Sequence, residues 1–292
     1  MAKNIVVAVD AKERTIDALA LGRVLTEATK APAVLVTVFP YNPLEDPDSP
    51  QMIELRDVAR ATLLELASSE GLDVAQALVI AGNFAGRELH RLTEQPATGL
   101  IVVGSTTRGP IGRLLVGGIG ERLLAGAACP VAIAPRGYGE RQPSRLTCIG
   151  VGFDGSDEAR LALDAAVAVA RAGRARLRVI TAYQRLAFGG VSTSRLAGGS
   201  ANDIVKADLR ARHDEALAEA AARIEVEGRF REGAADEVLL RESQGIGLLV
   251  AGSRGYGPIG AVLLGSTTAA IAKKAGCPLL VTPRGTRFDL IA

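Results

Sequence analysis

The chain is 292 residues long, with 48% hydrophobic and 23% charged residues, a globular composition with room for one large domain or two of about 150 residues. A net charge of +2, 3% aromatics and no Trp argue against a nucleic-acid binder, which needs a concentrated basic face or stacking platforms. No apolar run approaches the roughly 18 residues of a membrane span, the N-terminal MAKNIVVAVDAKE meets an acid too early for a signal peptide, and Cys129, Cys148 and Cys277 show no CxxC spacing. The expectation is a soluble cytoplasmic protein in a reducing compartment.

In chain order, short apolar runs alternate with longer helical stretches. The first half reads IVVAV (Ile5–Val9), AVLVTVF (Ala33–Phe39), ALVIAG (Ala77–Gly82), LIVVG (Leu100–Gly104) and VAIAP (Val131–Pro135). A polar segment rich in turn-formers, GYGERQPSR (Gly137–Arg145), reads as a linker. The second half repeats the order: IGVGF, LRVITAY, a weak VEGRF, LLVAG and LLVTP. Between the second and third of these, Lys206–Ile224 predicts a helix with Ala207, Leu209, Ala216, Leu217, Ala220 and Ile224 as its apolar stripe. The Pro- and Asp-rich Pro40–Gln51 and the Gly- and Ser-rich Gly189–Asp203 read as loops at equivalent places.

The halves are copies. NIVVAVDAKERTIDAL (Asn4–Leu19) aligns with CIGVGFDGSDEARLAL (Cys148–Leu163), placing Asp10 on Asp154; TGLIVVGSTTRGPIG aligns with IGLLVAGSRGYGPIG, placing Gly104 on Gly252, with about four additional residues in the middle of the second copy. Two domains follow, residues 1–140 and 145–292. Near-continuous apolar strands separated by helices imply a parallel sheet covered on both faces, and such doubly wound domains hold ligands at the carboxyl ends of the strands.

The residues able to do chemistry lie there. After LLVAG the second copy runs Gly252, Gly255, then Gly265-Ser266 and an alanine-rich helix. Glycines admit close approach by a ligand, a helix N-terminus suits phosphate oxygens, and Ser266 would cap that helix and offer a hydroxyl. Asp154, after the first strand, suits a ribose hydroxyl or a water on Mg²⁺. The same Asp-Gly-Ser-Asp-Glu run also makes a turn and helix start, with Ser156 or Asp157 as the cap. Cys129 and Cys277, each before a Pro, read as small buried residues. His90 and His213 are not repeat-equivalent and are expected at exposed helix positions. Arg108, Arg113 and Arg254 flank the loops.

Together, G-x2-G-x9-G-[ST] after the fourth strand, Asp after the first and Cys-Pro before the fifth resemble the universal stress protein family, in its tandem-domain form, over nearly the whole chain. The resemblance implies a five-stranded parallel sheet per domain in the order 3-2-1-4-5 and, for the ATP-binding type, ATP across the strand ends. Carried over, it places phosphates at Gly252, Gly255, Gly265 and Ser266, with Thr267 and Arg254 beside them, ribose near Asp154 and adenine near Ala182. The first copy keeps Asp10, Val38, Gly104 and Gly117, but Thr107 stands for the second glycine and Gly118 for the Ser. Its site is expected to be weaker or empty, with a Ser105 or Thr106 hydroxyl as the available substitute. The resemblance further implies pairing of the two halves through their last strands, and a homodimer.

The function expected is an ATP-binding regulatory protein of the stress response, with Mg²⁺ accompanying ATP and no catalytic or metal-ligating residue assigned. No Walker lysine and no histidine near the loops supplies machinery for rapid hydrolysis. Two alternatives stand beside it: a slow Mg²⁺-dependent ATPase using Asp154, and a nucleotide-free scaffold.

Overall fold

The computed structural model describes residues 3–10, 14–39, 46, 49–105, 117–185, 187–188, 191–192, 201–253 and 264–290. The first half runs β1 (Asn4–Ala8), α1 (Arg14–Thr29), β2 (Ala33–Phe39), α2 (Pro50–Ser69), β3 (Gln76–Ala81), α3 (Ala85–Thr93), β4 (Thr98–Gly104), α4 (Gly118–Gly126) and β5 (Val131–Ala134). The second runs β6 (Cys148–Gly152), α5 (Asp157–Gly173), β7 (Arg176–Tyr183), a hairpin of β8 (Ala187–Phe188) and β9 (Val191–Ser192), α6 (Ala201–Ala221), β10 (Val226–Glu232), α7 (Ala235–Glu242), β11 (Leu248–Gly252), α8 (Ser266–Lys274) and β12 (Leu279–Thr282).

Ten strands form one sheet in the order β10-β7-β6-β11-β12-β5-β4-β1-β2-β3. Each half has the expected order 3-2-1-4-5, and within each half the strands are parallel. The halves join where β5 and β12 pair antiparallel, Ile133 opposite Leu279 and Ala132 opposite Leu280. Four of the residues at this seam, Ala132, Ile133, Leu279 and Leu280, are 0% exposed. Each half would otherwise leave an apolar edge strand open to association, and the pairing covers both.

Successive strand residues face opposite sides of the sheet, so each strand feeds two cores. Ile5, Val7, Leu35, Leu100, Ile149, Leu177 and Leu248 join one cluster with residues of α1, α2, α5 and α6. Val6, Val36, Ile101, Ile133, Ile180 and Leu249 join the other, with Leu89 of α3, Leu123 of α4, Val238 of α7 and Ile271 of α8. Both clusters cross the seam.

Two further contacts tie distant segments of the chain together. The buried Asp17 carboxylate in the first turn of α1 accepts N–H bonds from Gly137 (3.0 Å) and Gly139 (2.8 Å), in the turn after β5. At the other end of the chain, Leu290 is buried in the core shared with β1 and β4, while Lys3 and Asp289 form an exposed ion pair at 3.3 Å, a contact of little energy in water.

Some expectations are corrected. The predicted helix Lys206–Ile224 is α6, Ala201–Ala221, so Asp203 lies inside it and Ile224 beyond it. Ala207, assigned to its buried stripe, is exposed. His213, expected to be exposed, is 2% exposed and lies one turn from the buried Ala216; it is part of the stripe. His90 is half-buried, its Nε2 3.8 Å from Glu94. The weak VEGRF is a full strand, β10, half-exposed because it forms a sheet edge. Cys129, Cys148 and Cys277 are buried and free, and burial pushes the Cys129 and Cys277 thiols up to about 12. Among the described residues no helix is long and apolar enough to cross a membrane. Most of Pro40–Gln51 and of Gly189–Asp203 lies outside the described residues.

Candidate nucleotide site

In the second half, register alone gathers the candidate residues. Val151 of β6 is level with Val250 of β11, and Gly152 with Ile180 of β7, so Asp154, Gly252 and Ala182 all emerge at the carboxyl ends of neighbouring strands. The Gly265 N–H donates to the Ser253 carbonyl (2.8 Å), and the Thr268 hydroxyl donates to the Gly252 carbonyl (2.8 Å). These two bonds bring the start of α8 against the end of β11, so Gly265, Ser266 and Thr267 stand beside Gly252. Arg254 and Gly255 lie outside the described residues.

Two of these roles differ from expectation, at Ser266 and Gly252, while the Ser156 cap beside Asp154 agrees with it. The cap of α8 is Gly265, which has no side-chain bond to offer, and Ser266 is the first helical residue. Its exposed hydroxyl is therefore not consumed by capping. Gly252 serves packing directly: a Cβ there would sit 3.0 Å from the Glu158 carbonyl oxygen and 3.1 Å from its Cβ, so glycine lets β11 approach the first turn of α5. Asp154 Oδ1 accepts bonds from the Ser156 N–H (3.0 Å) and hydroxyl (2.5 Å), and Ser156 in turn caps α5 by accepting from Ala159 N. The turn between them needs Gly155, whose φ is +80°, a region costly for other residues. Asp154 is thus held in a fixed orientation by the cap.

Helix α6 grips the same turn from outside. Arg212 Nη1 reaches the Gly155 carbonyl (3.5 Å). The Thr181 hydroxyl donates to the Phe153 carbonyl (2.9 Å) and lies 2.8 Å from His213 Nδ1. Since the carbonyl only accepts, the hydroxyl proton goes there and His213 carries its proton on Nδ1. Burial holds the His213 pKa below its usual value, Asp214 opposing and Arg210 reinforcing that effect.

The first half encloses a cavity of about 210 Å³ at the same strand ends. Asp10, Val38, Gly104, Gly117 and Gly118, its five sequence-nominated residues, all line it. So do Val36, Ala85, Leu89, Val103, Ile119 and others that sequence reasoning did not nominate. Leu89 and Ala85 come from α3, far away along the chain, and no local pattern marks them. Helix α4 starts from Gly117 as a cap with no side-chain bond, and Gly118 is its first residue. Ser105, weighed as a substitute hydroxyl, is 2% exposed and does not line the cavity; Thr106, Thr107, Arg108 and Arg113 lie outside the described residues.

Among the described residues, no three of His, Cys, Asp and Glu gather to hold a metal ion. Mg²⁺ arriving with a nucleotide would be held chiefly by phosphate oxygens and water, its usual mode, with Asp154 as the carboxylate at hand.

Comparison with known proteins gives these features a family. A sequence model described as the universal stress protein family matches residues 1–135 and again 147–283. A universal stress protein of Mycobacterium tuberculosis is 29% identical over 192 residues, which span 62% of this chain and 61% of that relative. Among solved structures, a universal stress protein of Archaeoglobus fulgidus superposes with a TM-score of 0.69 at 22% identity, over 98% of this chain and 100% of its own. One from Pseudomonas aeruginosa gives 0.65 at 18% identity, over 97% and 93%. At these identities the structures speak to fold alone, whereas the family match covers both halves. The chain belongs to the universal stress protein family, with two of its domains in tandem.

Proposed function

We propose that this is an ATP-binding regulatory protein of the stress response, with domains at 1–140 and 145–292, acting through nucleotide-dependent conformation or partner binding. The observation that carries the reading is the start of α8. Its first turn presents Ser266, Thr267 and Thr268 and no acidic residue, next to Gly252 and an oriented Asp154. Thr268 is spent on the Gly252 carbonyl, and a helix N-terminus with free N–H groups, the exposed Ser266 hydroxyl and no competing carboxylate favours phosphate. Asp154 then meets the ribose hydroxyls, and Ala182, half-buried on β7, borders the base; Gly255 and Arg254 complete the loop in this reading.

His213, the histidine of this half, is buried and turned to Thr181 and so is not placed to act as a base toward water. The reading therefore assigns at most slow hydrolysis. Association into a homodimer, also part of the proposal, needs a surface other than β5 and β12, which are spent on each other.

Equilibrium dialysis of nucleotide-stripped protein with Mg-ATP tests the reading. Replacing Ser266 by Ala removes a hydrogen bond to a charged group, about 1.5–3 kcal/mol, so affinity falls roughly 10- to 100-fold. Absence of binding by the wild-type chain at millimolar ATP would move the function to the scaffold alternative.

A further inference from the structure

We infer that the first-half cavity takes an uncharged, ring-bearing and hydroxylated small molecule of the nucleoside class, and discriminates against its phosphorylated forms. This rests on the proposed nucleotide reading for the geometry of the strand ends, and departs from it in the ligand.

The walls decide the chemistry. Val36 and Val38 of β2, Val103 of β4 and Leu89 of α3 supply apolar surface, and Asp10 is the one ionisable side chain among the described lining residues. Apolar walls with few convergent polar groups are the usual setting for a flat heterocycle, and a carboxylate accepts hydroxyl hydrogen bonds. No described lining residue is cationic. At about 210 Å³ the cavity falls below the range of about 300–1,000 Å³ typical of drug-sized ligands. It suits a base with its sugar better than an extended polyphosphate.

The helix starting at the cavity mouth points the same way. Where α8 begins Ser266, Thr267, Thr268 and has no acid in its first turn, α4 begins Gly118, Ile119, Gly120 and Glu121. The three hydroxyls are replaced by two glycines and an Ile. The Glu121 carboxylate in the first turn already satisfies the positive end of the helix dipole. A phosphate placed there meets the Asp10 carboxylate and a helix end already offset by Glu121, with no hydroxyl among the first three helical residues. A neutral ligand loses nothing by either substitution.

The test is a pair of titrations on the full-length, nucleotide-stripped chain, one with adenosine and one with Mg-ATP, in wild type and three variants. Val38→Phe fills the cavity from its wall. Gly118→Trp blocks its mouth and is structurally mild, because a Cβ at Gly118 meets nothing within 4 Å; it serves if Val38→Phe fails to fold. Ser266→Glu disables the second-half phosphate position. Adenosine is expected to bind at one site per chain, at least tenfold more weakly in Val38→Phe or Gly118→Trp and unchanged in Ser266→Glu, with the reverse pattern for Mg-ATP. Adenosine that does not bind, or binds equally well in both first-half variants, overturns the inference, as does Mg-ATP binding weakened by Gly118→Trp. If adenosine follows the expected pattern while Mg-ATP binds nowhere, the inference stands and the ATP reading falls. If Mg-ATP alone follows its pattern, the reverse holds.

Discussion

His213 makes the stability of the second half pH-dependent in a way that can be isolated. The ring is 2% exposed, donates through Nδ1 to Thr181 at 2.8 Å, and lies edge-on to Phe230 with centroids 5.6 Å apart. Its Nε2 has no room for a new partner on the β10 side, where a Cβ on Gly228 would come within 2.8 Å. A second proton would therefore be buried without compensation, and burial holds the folded-state pKa below the usual 6.5. The unfolded chain takes up the proton first as pH falls. The neutral ring's contribution is thus complete above about pH 6.5 and is lost progressively as pH drops toward the folded-state value. The maximal slope for one proton is about 1.4 kcal/mol per pH unit. Urea unfolding of wild type and His213→Asn between pH 5 and 8 measures it. The Asn amide keeps the donor to Thr181 and cannot titrate, so the difference between the two stabilities should narrow as pH falls from 7 to 5.5, with that slope as its upper limit. Parallel curves across that range would refute the assignment of a buried neutral His213.

Asp17→Ala leaves the Gly137 and Gly139 N–H groups without their carboxylate acceptor; at about 1.5–3 kcal/mol per charge-assisted bond, a loss of roughly 3 kcal/mol or more is expected in urea unfolding, and one below 1 kcal/mol would contradict the clamp. Ser266→Glu is expected to keep or slightly raise the melting temperature, since an acid at the start of α8 suits the helix dipole by about 0.3–1 kcal/mol, while ATP affinity falls more than 100-fold through loss of the hydroxyl and added repulsion of about 4 kcal/mol per charge pair at 4 Å. A drop in melting temperature would place Ser266 in the fold and not in the site. The native chain should resist a disulfide reagent at pH 8, its Cys129 and Cys277 thiols being held near 12, and release three thiols once unfolded; rapid native reaction would contradict their burial.

The repeat made the architecture legible, because two degenerate copies of one pattern correct each other. The two parallel-sheet domains and the equivalence of Asp10 with Asp154 and of Gly104 with Gly252 follow from aligning the halves, whereas the strand order and the seam through β5 and β12 were implied by the resemblance of the loop motif to the universal stress protein family. What stayed hidden depends on contacts between distant segments. Asp17 reads as an ordinary acid in a first helical turn, and nothing local says that the turn at Gly137–Gly139 returns to meet it. Leu89 and Ala85 reach the first cavity only because α3 crosses the sheet. His213 was within reach, spaced four after Leu209 and three before Ala216 on one helix face, but its polarity argued against its position. At the start of α8, Gly265 and Ser266 share the features of a cap, and only the backbone tells which residue begins the helix. That distinction leaves the Ser266 hydroxyl available.

The most direct measurement is an isothermal titration of the nucleotide-stripped chain with Mg-ATP, repeated on Ser266→Glu. The account predicts about one ATP per chain, lost in the variant while the fold is retained. Two equivalent sites, or one that survives Ser266→Glu and vanishes in Gly118→Trp, would contradict it by placing the phosphates on α4.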